Sequence, residues 1–554
     1  MRPFHFPVGL CLLLLPAIAQ QSVTIRVDTA RSLGPSKPIW SYFGYDEPNY
    51  TYTAHGRKLI SELAALRTPV YIRAHNLLTT GDGTPALKWG STNAYTEDAA
   101  GRPVYRWDIV DRILDTYLNV HARPFVEIGF MPRALSTKPE PYQHRWPQTK
   151  IAAGWAYPPK DYQKWAELIY QWVRHETELH GAAEVSRWYW EVWNEPDIEY
   201  WQGTPEEYDR LYDFAVDAVK RAAPHARVGG PATTGPASAK AAAFLRQFLE
   251  HCATGRNFAT GATGAPLDFI TYHAKGRPNV AAAHVQMGLA KNLDDVEQGM
   301  RIVTSFPQFN DLPIILSESD PEGCAACSAR TYPQNAYRNG PLYPCYTAAA
   351  MNNIFQLADG YHANIEGMLT WAFEFEDQPY FEGFRTLASN GIDKPVLNVF
   401  RMAARMGGDR VAVESSAGLS VEQILQSGVR QSADVNAMAT RSARGVSVMA
   451  WNYHDDDVAG PEAAVRLTVT GLPAAAKRVQ LRHYRIDRDH SNAYTAWQAM
   501  GSPQNPTPEQ YRRLEAAGKL QMLGPPQSLA AGGGQVEVSF ALPRQAVSLL
   551  QIGW

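Results

Sequence analysis

Short apolar segments alternate with amphipathic segments between about residue 40 and residue 400. The apolar segments have the length of strands, and the stretches between them repeat their apolar positions with helical spacing. This alternation is typical of a parallel α/β fold. The eight predicted strands are 40–44, 70–74, 124–129, 188–193, 228–229, 269–272, 314–317 and 368–373.

Seven amphipathic helices are predicted between these strands. They are 56–66, 107–120, 162–176, 205–222, 239–251, 293–304 and 346–358. The start of the fourth helix is specific, because Thr204 can cap it, Pro205 suits the first helical position and two glutamates follow. The order of elements predicts a (β/α)8 TIM barrel over residues 40–406, with its active site at the C-terminal strand ends.

The pattern changes after Gly407. Helical periodicity fades, and strand-like runs separated by loops rich in Gly and Pro appear at 446–451, 465–469, 478–485, 535–540 and 546–552. We therefore predict an accessory C-terminal β-sandwich domain over residues 407–554. Residues 22–27 alternate like a strand, so the segment 20–39 is expected to join this sandwich. The predicted fold class is α/β.

Length and charge restrict the function. A chain of 554 residues is too long for one core, and 45% hydrophobic with 19% charged residues argues against general disorder. The net charge is −3, without a long run of like charge. Binding of nucleic acid therefore has no electrostatic basis in this sequence.

The N-terminus has the pattern of an export signal. Met1-Arg2 precedes an apolar run at 8–15, which Ala17-Ile18-Ala19 follows. A positive start, a short apolar run and an Ala-x-Ala site predict a cleavable signal peptide at residues 1–19. No later segment approaches membrane-spanning length. The sequence predicts a secreted or periplasmic protein that does not span the membrane after cleavage.

Four cysteines remain after this predicted cleavage: Cys252, Cys324, Cys327 and Cys345. In an oxidising compartment disulfides are the favoured state, and three pairings are possible. Cys324 and Cys327 have C-x-x-C spacing, but a zinc site would need two further ligands, and no second close pair is present. We therefore predict disulfides that brace the loop after Glu318, and no metal site.

Two glutamates stand at predicted strand ends and provide the candidate chemistry. Glu195 follows the fourth strand and Glu318 follows the seventh, each with a proline soon after it. Two carboxyl groups about 5–5.5 Å apart hydrolyse a glycoside with retention of configuration. We assign Glu195 as the acid/base and Glu318 as the nucleophile, with Asn194 bound to a sugar hydroxyl. This reaction needs no cofactor.

Other side chains near predicted strand ends could contact the sugar. We predict such contacts for His75, Glu127, His273 and Trp371, although a structural role is the alternative for each histidine. Glu127 also belongs to a set of glutamates that compete with the catalytic pair and are predicted to contact substrate or form ion pairs. The others in that set are Glu374, Glu376 and Glu382.

Several motifs resemble glycoside hydrolase family 39, which contains β-xylosidases and α-L-iduronidases. They are Trp193-Asn194-Glu195-Pro196, the segment 123–132 and the segment 73–78. The resemblance covers most of residues 23–554 and is strongest from about 70 to 400. It implies a (β/α)8 barrel with a β-sandwich, retention of configuration and an exo-type pocket. It also implies Glu195 as acid/base and Glu318 as nucleophile.

Two later motifs are more similar to the iduronidase branch. They are His273-Ala274-Lys275-Gly276 and Glu318-Ser319-Asp320-Pro321, and Arg385 stands where a xylosidase is expected to have glycine. The resemblance implies that Lys275 and Arg385 could clamp a uronate carboxylate through charge-assisted bonds. The alternative is that Lys275 is solvated and Arg385 pairs with an acidic side chain, Glu382 or Asp393.

The sequence thus predicts a retaining exo-glycosidase with an oligosaccharide or glycoside substrate. A β-D-xyloside is favoured, because the third-strand motif is xylosidase-like and the uronate evidence rests on two residues. The alternatives are an α-L-iduronidase-like uronidase and, from another class, a catalytically silent carbohydrate-binding protein. The anomer, the aglycone and the oligomeric state stay open.

Overall fold

The structure, a computed structural model, describes residues 21–66, 69–144 and 151–554. The predicted signal peptide at residues 1–19 lies outside the described residues. Within the described part of the chain, no helix is both long and apolar enough to cross a membrane.

A closed parallel barrel forms the centre of the molecule, and each strand pairs with the next one in the chain. The eighth strand is divided: Ile365–Met368 pairs with the seventh strand, and Thr370–Trp371 pairs with the first. This division closes the barrel and confirms the predicted fold class. The first seven strands are Tyr42–Tyr45, Tyr71–Ala74, Arg123–Ile128, Tyr189–Val192, Arg227–Thr233, Phe269–Lys275 and Ile314–Asp320.

Helices follow the barrel strands and bury their apolar sides. The helix Pro205–Ala222 has the predicted bounds, with a capping box between Thr204 and Glu207. The helix after the eighth strand, Pro395–Ala403, was not predicted. The other barrel helices are Ala54–Ala64, Asp108–Leu118, Tyr162–His180, Ala239–Thr254, Leu289–Thr304 and Leu342–Tyr361.

The accessory domain is a ten-stranded sheet with an apolar core of its own, and part of the sheet also packs in the main core with the barrel. The first described strand, Gln21–Pro35, is an interior strand of this sheet and pairs with Asp409–Ser415 and Ala463–Thr470. The first described strand and the C-terminal strands therefore contribute to one domain. The remaining strands are Asp434–Ser442, Gly445–Tyr453, Arg478–Ile486, Gln521–Met522, Gln527–Ala530, Gln535–Leu542 and Val547–Gly553.

The C-terminal region is not purely β as predicted, because it also carries helices. Ala493–Ala499 and Pro508–Gly518 follow the strand Arg478–Ile486. Trp497 and Leu514 from these helices form a small core with Phe381 of the barrel. These helices bury apolar surface of the barrel with one face. Their apolar residues therefore repeat with the spacing of a helix and not with that of a strand. A third short helix is Val421–Ser427.

The cysteine prediction is half right. Cys324 and Cys327 form a disulfide in the loop after the seventh strand. Cys252 and Cys345 are free and buried, which corrects the expectation that all four would be paired. Each of these two lies on its own barrel helix and packs as a small apolar side chain in the main core.

Candidate active site

Two carboxylates meet at the C-terminal ends of the fourth and seventh strands. A carboxylate oxygen of Glu195 lies within 4.8 Å of one of Glu318. Glu195 adopts a left-handed backbone, with φ of 45°, and its amide donates to the carbonyl of Ala232 on the fifth strand. His273 on the sixth strand bridges the pair, with Nδ1 2.9 Å from Glu195 Oε1 and Nε2 3.9 Å from Glu318 Oε1.

Positive groups surround Glu318. Lys275 Nζ lies 2.7 Å from Oε2, and Arg73 Nη1 lies 3.3 Å from Oε1. Burial alone would raise the pKa of Glu318, but Lys275, His273 and Arg73 outweigh it and lower the pKa to about 2. Glu318 is therefore an anion at neutral pH although only 6% of the residue surface is exposed. An ionised, poorly solvated carboxylate is suited to nucleophilic attack.

Arg73, at the end of the second strand, connects the acidic groups below the mouth of the barrel. Its Nε lies 2.5 Å from Glu191, and its Nη2 lies 2.9 Å from Glu127 and 3.0 Å from Asn194 Oδ1. The guanidinium is completely buried, and these carboxylates raise its pKa. Sequence reasoning missed Arg73 as a functional residue. The sequence did contain one indication: Arg73 stands two residues before His75, near the end of a predicted strand.

His75 belongs to a second buried network beside Glu318. Its Nδ1 hydrogen-bonds with Glu127, and its Nε2 lies 3.3 Å from Asp46 and 3.6 Å from Glu318. Burial lowers the pKa of His75 well below its ordinary value, so the ring is neutral. Burial also raises the pKa of Glu127 well above its ordinary value. Lys88 in turn bonds to Asp46, and neither residue of this pair was found from the sequence.

Trp371 forms an aromatic wall at the end of the eighth strand. Its ring lies 4.3 Å from the His75 ring, and the Arg73 guanidinium lies 5.1 Å from its centroid. Its backbone amide donates to Asp320 Oδ1 at 3.0 Å, which ties the eighth strand to the seventh. The predicted residues His75, His273 and Trp371 therefore lie together around Glu318.

The two residues of the predicted uronate clamp occupy different environments. Lys275 is partly exposed and divides its ammonium between Glu318 and Asp320, 2.8 Å away. Arg385 is fully buried and binds Glu322 at 3.2 Å and the Trp371 carbonyl at 3.0 Å. Its guanidinium offers no exposed surface to a sugar. The role of Arg385 in binding substrate stays a prediction, and its acidic partner is Glu322, which was not among the two expected.

The other predicted glutamates have contacts within the protein. Glu127 has no exposed surface and pairs with Arg73 and His75, so the structure shows the ion-paired role, and its contact with a sugar stays a prediction. Glu374 accepts a bond from the Gly391 amide, and burial raises its pKa to about 8. Glu376 accepts from the His55 amide at 2.7 Å, and Glu382 pairs with Arg330 at 2.8 Å.

The atoms of Glu195, His273 and Glu318 are also close enough to hold a metal ion. Lys275 and Arg73 already place two positive charges beside Glu318. A divalent cation there would be repelled by these charges. The charge distribution therefore suits two carboxylates that act directly on a substrate.

Known proteins share this architecture over nearly the whole chain. A β-xylosidase from Geobacillus stearothermophilus is 27% identical over 511 residues, covering 89% of this chain and 88% of that protein. An α-L-iduronidase from Mus musculus is 25% identical over 523 residues, covering 90% and 76%. The crystal structure of a monomeric β-xylosidase from Caulobacter crescentus CB15 matches with a TM-score of 0.74 at 22% identity, covering 96% and 99%.

The family profile described as Glycosyl hydrolases family 39 matches residues 23–533. This match confirms the resemblance that the sequence motifs indicated, and it removes the alternative of a catalytically silent binding protein. The chain belongs to glycosyl hydrolase family 39 and is a retaining glycoside hydrolase.

Proposed function

We propose that this enzyme removes a terminal β-D-xylosyl residue from a glycoside, with Glu195 as acid/base and Glu318 as nucleophile. The observation that carries the roles is the separation of the two carboxylates, with oxygens within 4.8 Å. This separation agrees with direct attack by a carboxylate, since inverting enzymes keep their carboxyl groups about 6.5–9.5 Å apart to admit a water.

The first step forms a covalent glycosyl-enzyme. A Glu318 oxygen attacks the anomeric carbon while Glu195 gives its proton to the glycosidic oxygen, so that bond breaks and the aglycone leaves as an alcohol. In the second step Glu195 takes a proton from water, and the resulting hydroxide displaces Glu318. His273, 2.9 Å from Glu195, orients the carboxyl group that gives and takes this proton.

Asn194 orients the sugar next to the bond that breaks. Its Oδ1 accepts a hydrogen bond from Arg73 Nη2, which directs its amide nitrogen away from the guanidinium. That nitrogen is then free to donate to the hydroxyl beside the anomeric carbon. Such a bond strengthens as positive charge develops on the sugar in the transition state.

A neutral sugar is favoured over a uronide on charge grounds. The only exposed cation of the predicted clamp, Lys275, already faces the carboxylates of Glu318 and Asp320. A uronate would add a third negative charge beside this single ammonium, while Arg385 is enclosed behind the eighth strand. The alternative of an α-L-iduronide is kept, because Lys275 is 18% exposed at the mouth.

We also propose that the protein is exported. The support comes from the sequence of residues 1–19 and from the Cys324–Cys327 disulfide, a bond that persists in oxidising compartments.

We expect Glu195→Gln to affect substrates according to their leaving group. Phenyl β-D-xyloside should lose about 10²- to 10⁴-fold in kcat/KM, because its leaving oxygen needs protonation. The dinitrophenyl glycoside should lose far less in its first step. Steady-state rates on both aryl xylosides measure this difference. Glu199→Gln, an exposed glutamate in the same loop, is the control, and an equal loss on both substrates would contradict the acid/base role.

The sugar is tested with chromogenic β-D-xyloside, α-L-iduronide, β-D-glucuronide, α-L-arabinoside and β-D-glucoside. We expect the xyloside to be hydrolysed best.

On the xyloside, Lys275→Met should move the acid limb of the pH profile of kcat/KM to higher pH, because this variant lacks the ammonium that most lowers the pKa of Glu318. Lys477→Met, exposed in the accessory domain, should leave the profile unchanged. Preference for a uronide that Lys275→Met abolishes would establish the alternative.

A further inference from the structure

A β-hairpin follows the sixth barrel strand, on the side of the barrel that holds the two carboxylates. Its strands are Asn279–Ala281 and His284–Gln286, which pair antiparallel. Lys275, the last residue of the sixth strand, is joined to this hairpin by residues 276–278. Because this connection is short, a displacement of the hairpin is transmitted to the backbone that carries Lys275.

A side chain of the accessory domain binds the hairpin. Gln286 Nε2 donates to Asp456 Oδ1 at 2.7 Å, and His284 Nε2 lies 3.1 Å from the same oxygen. The next residue towards the N-terminus, Asp455, is buried and accepts from the Tyr453 hydroxyl at 2.7 Å. Asp456 therefore stands on a segment that is fixed within the accessory domain, and it connects that domain to the loop after the sixth strand.

Main-chain bonds reinforce this connection. The Asp457 amide donates to the Val285 carbonyl at 2.8 Å, and the Met287 amide donates to the Asp455 carbonyl at 2.7 Å. Residues 455–457 thus lie antiparallel beside the second strand of the hairpin. The accessory domain contacts the hairpin through both backbone and side chain.

The chain between the hairpin and the sixth strand is closely packed. The Gly276 amide donates to the Asp320 carbonyl at 2.9 Å. A Cβ at Gly276 would lie 2.4 Å from the Pro321 carbonyl oxygen, so this position admits no side chain without movement. The Lys275 amide donates to Asp295 Oδ2 at 3.2 Å. A shift of the hairpin therefore also disturbs the contacts that hold the Lys275 backbone.

We propose that the accessory domain positions Lys275 beside Glu318 by holding the hairpin through Asp456. Lys275 Nζ lies 2.7 Å from Glu318 and 2.8 Å from Asp320, at the end of a flexible side chain, so its place depends on the backbone that carries it. Asp456 is a positioning residue that acts through the hairpin and Lys275. This inference rests on the proposed role of Glu318 as nucleophile.

Two variants of Asp456 test the proposal by steady-state kinetics on a chromogenic β-D-xyloside. Asp456→Ala removes the acceptor of both hairpin side chains and should lower kcat/KM about tenfold, since small misplacements at an active site are costly. The acid limb of the kcat/KM profile should also move to higher pH, as in Lys275→Met, because the ammonium that most lowers the pKa of Glu318 is displaced. Asp456→Asn keeps an acceptor oxygen and should recover most of the activity.

A double-mutant cycle shows whether the effect passes through Lys275. Asp456→Ala should cost little more in the background of Lys275→Met, because the group that it positions is already absent. The paired substitution His284→Ala with Gln286→Ala should reproduce Asp456→Ala from the barrel side. Asp409→Ala, which removes an exposed aspartate of the accessory domain, should leave kcat/KM and the pH profile unchanged.

Two results would overturn this inference while leaving the proposed function intact. One is an Asp456→Ala enzyme with a lower Tm but an unmoved acid limb, which would make Asp456 a merely structural contact. The other is full additivity of Asp456→Ala and Lys275→Met. An acid limb that Lys275→Met itself does not move would instead contradict the proposed role of Glu318, and this inference would fail with it.

Discussion

Glu318→Ala is expected to abolish turnover, with a loss of about 10⁴-fold or more in kcat/KM on aryl xylosides. The substitution removes the atom that bonds to the anomeric carbon. It also leaves Lys275 and Arg73 beside an empty space, so no carboxylate there stabilises the positive charge that develops on the sugar. Steady-state kinetics with the dinitrophenyl glycoside measure the loss. Glu366→Ala is the control and should retain full activity, because Glu366 lies at the start of the eighth strand, away from the C-terminal strand ends, and pairs with Lys37.

Added azide separates a lost nucleophile from a damaged fold. The space left by Glu318→Ala is adjacent to the anomeric carbon, so azide should attack there and restore aglycone release. The product should be a glycosyl azide with configuration opposite to that of the substrate, because a single displacement replaces the double one. Unchanged turnover in Glu318→Ala would contradict the assignment of Glu318 as the nucleophile. An azide product of retained configuration would mean that azide captures a glycosyl-enzyme formed on a different nucleophile, because retention requires two displacements.

The barrel and its catalytic strands could be predicted because local pattern determines them. The fourth-strand motif around Glu195 and the cap at Thr204 each depend on residues close in sequence. The cap at Thr507 has the same Thr-Pro pattern, yet the helix that follows was missed. It belongs to a helical insertion between strands of the accessory sheet, and its apolar residues pack with Phe381 of the barrel instead of with the sheet. Local pattern does not specify which distant surface an insertion buries.

The roles within the site were harder to predict, because they depend on burial and on contacts between distant strands. Lys275 and Arg385 have similar charge in the sequence, but one faces Glu318 while the other is enclosed by Glu322 and a carbonyl. The role of Arg73 depends on ion pairs and hydrogen bonds with residues more than 50 positions away in the chain. Because these residues meet only in the folded barrel, their spacing in the sequence does not identify Arg73 as part of the site.

Arg73→Met is expected to destabilise the enzyme by about 3–5 kcal/mol, because it leaves buried carboxylates without their shared cation. Glu191, Glu127 and Glu318 all lose a charged partner in this variant. Chemical denaturation measures the difference from wild type. Arg227→Met is the control, because that barrel arginine stacks on Tyr189 and forms no ion pair with a carboxylate in the described chain.

The pH dependence of this loss in stability distinguishes an electrostatic cause from a loss of packing. Arg73 helps to lower the pKa of Glu318 in the folded state, so its contribution is present above the unfolded pKa and is lost as the pH falls through about 2. The deficit of Arg73→Met should therefore shrink on acidification, since the carboxylates then take up protons and no longer need a cation. A loss of stability that does not change with pH would indicate a cavity and lost packing.

Arg73→Lys keeps the charge but not the forked geometry of the guanidinium. This variant should recover part of the stability and little of the activity, because one ammonium cannot hold Glu191, Asn194 and Glu318 in place together.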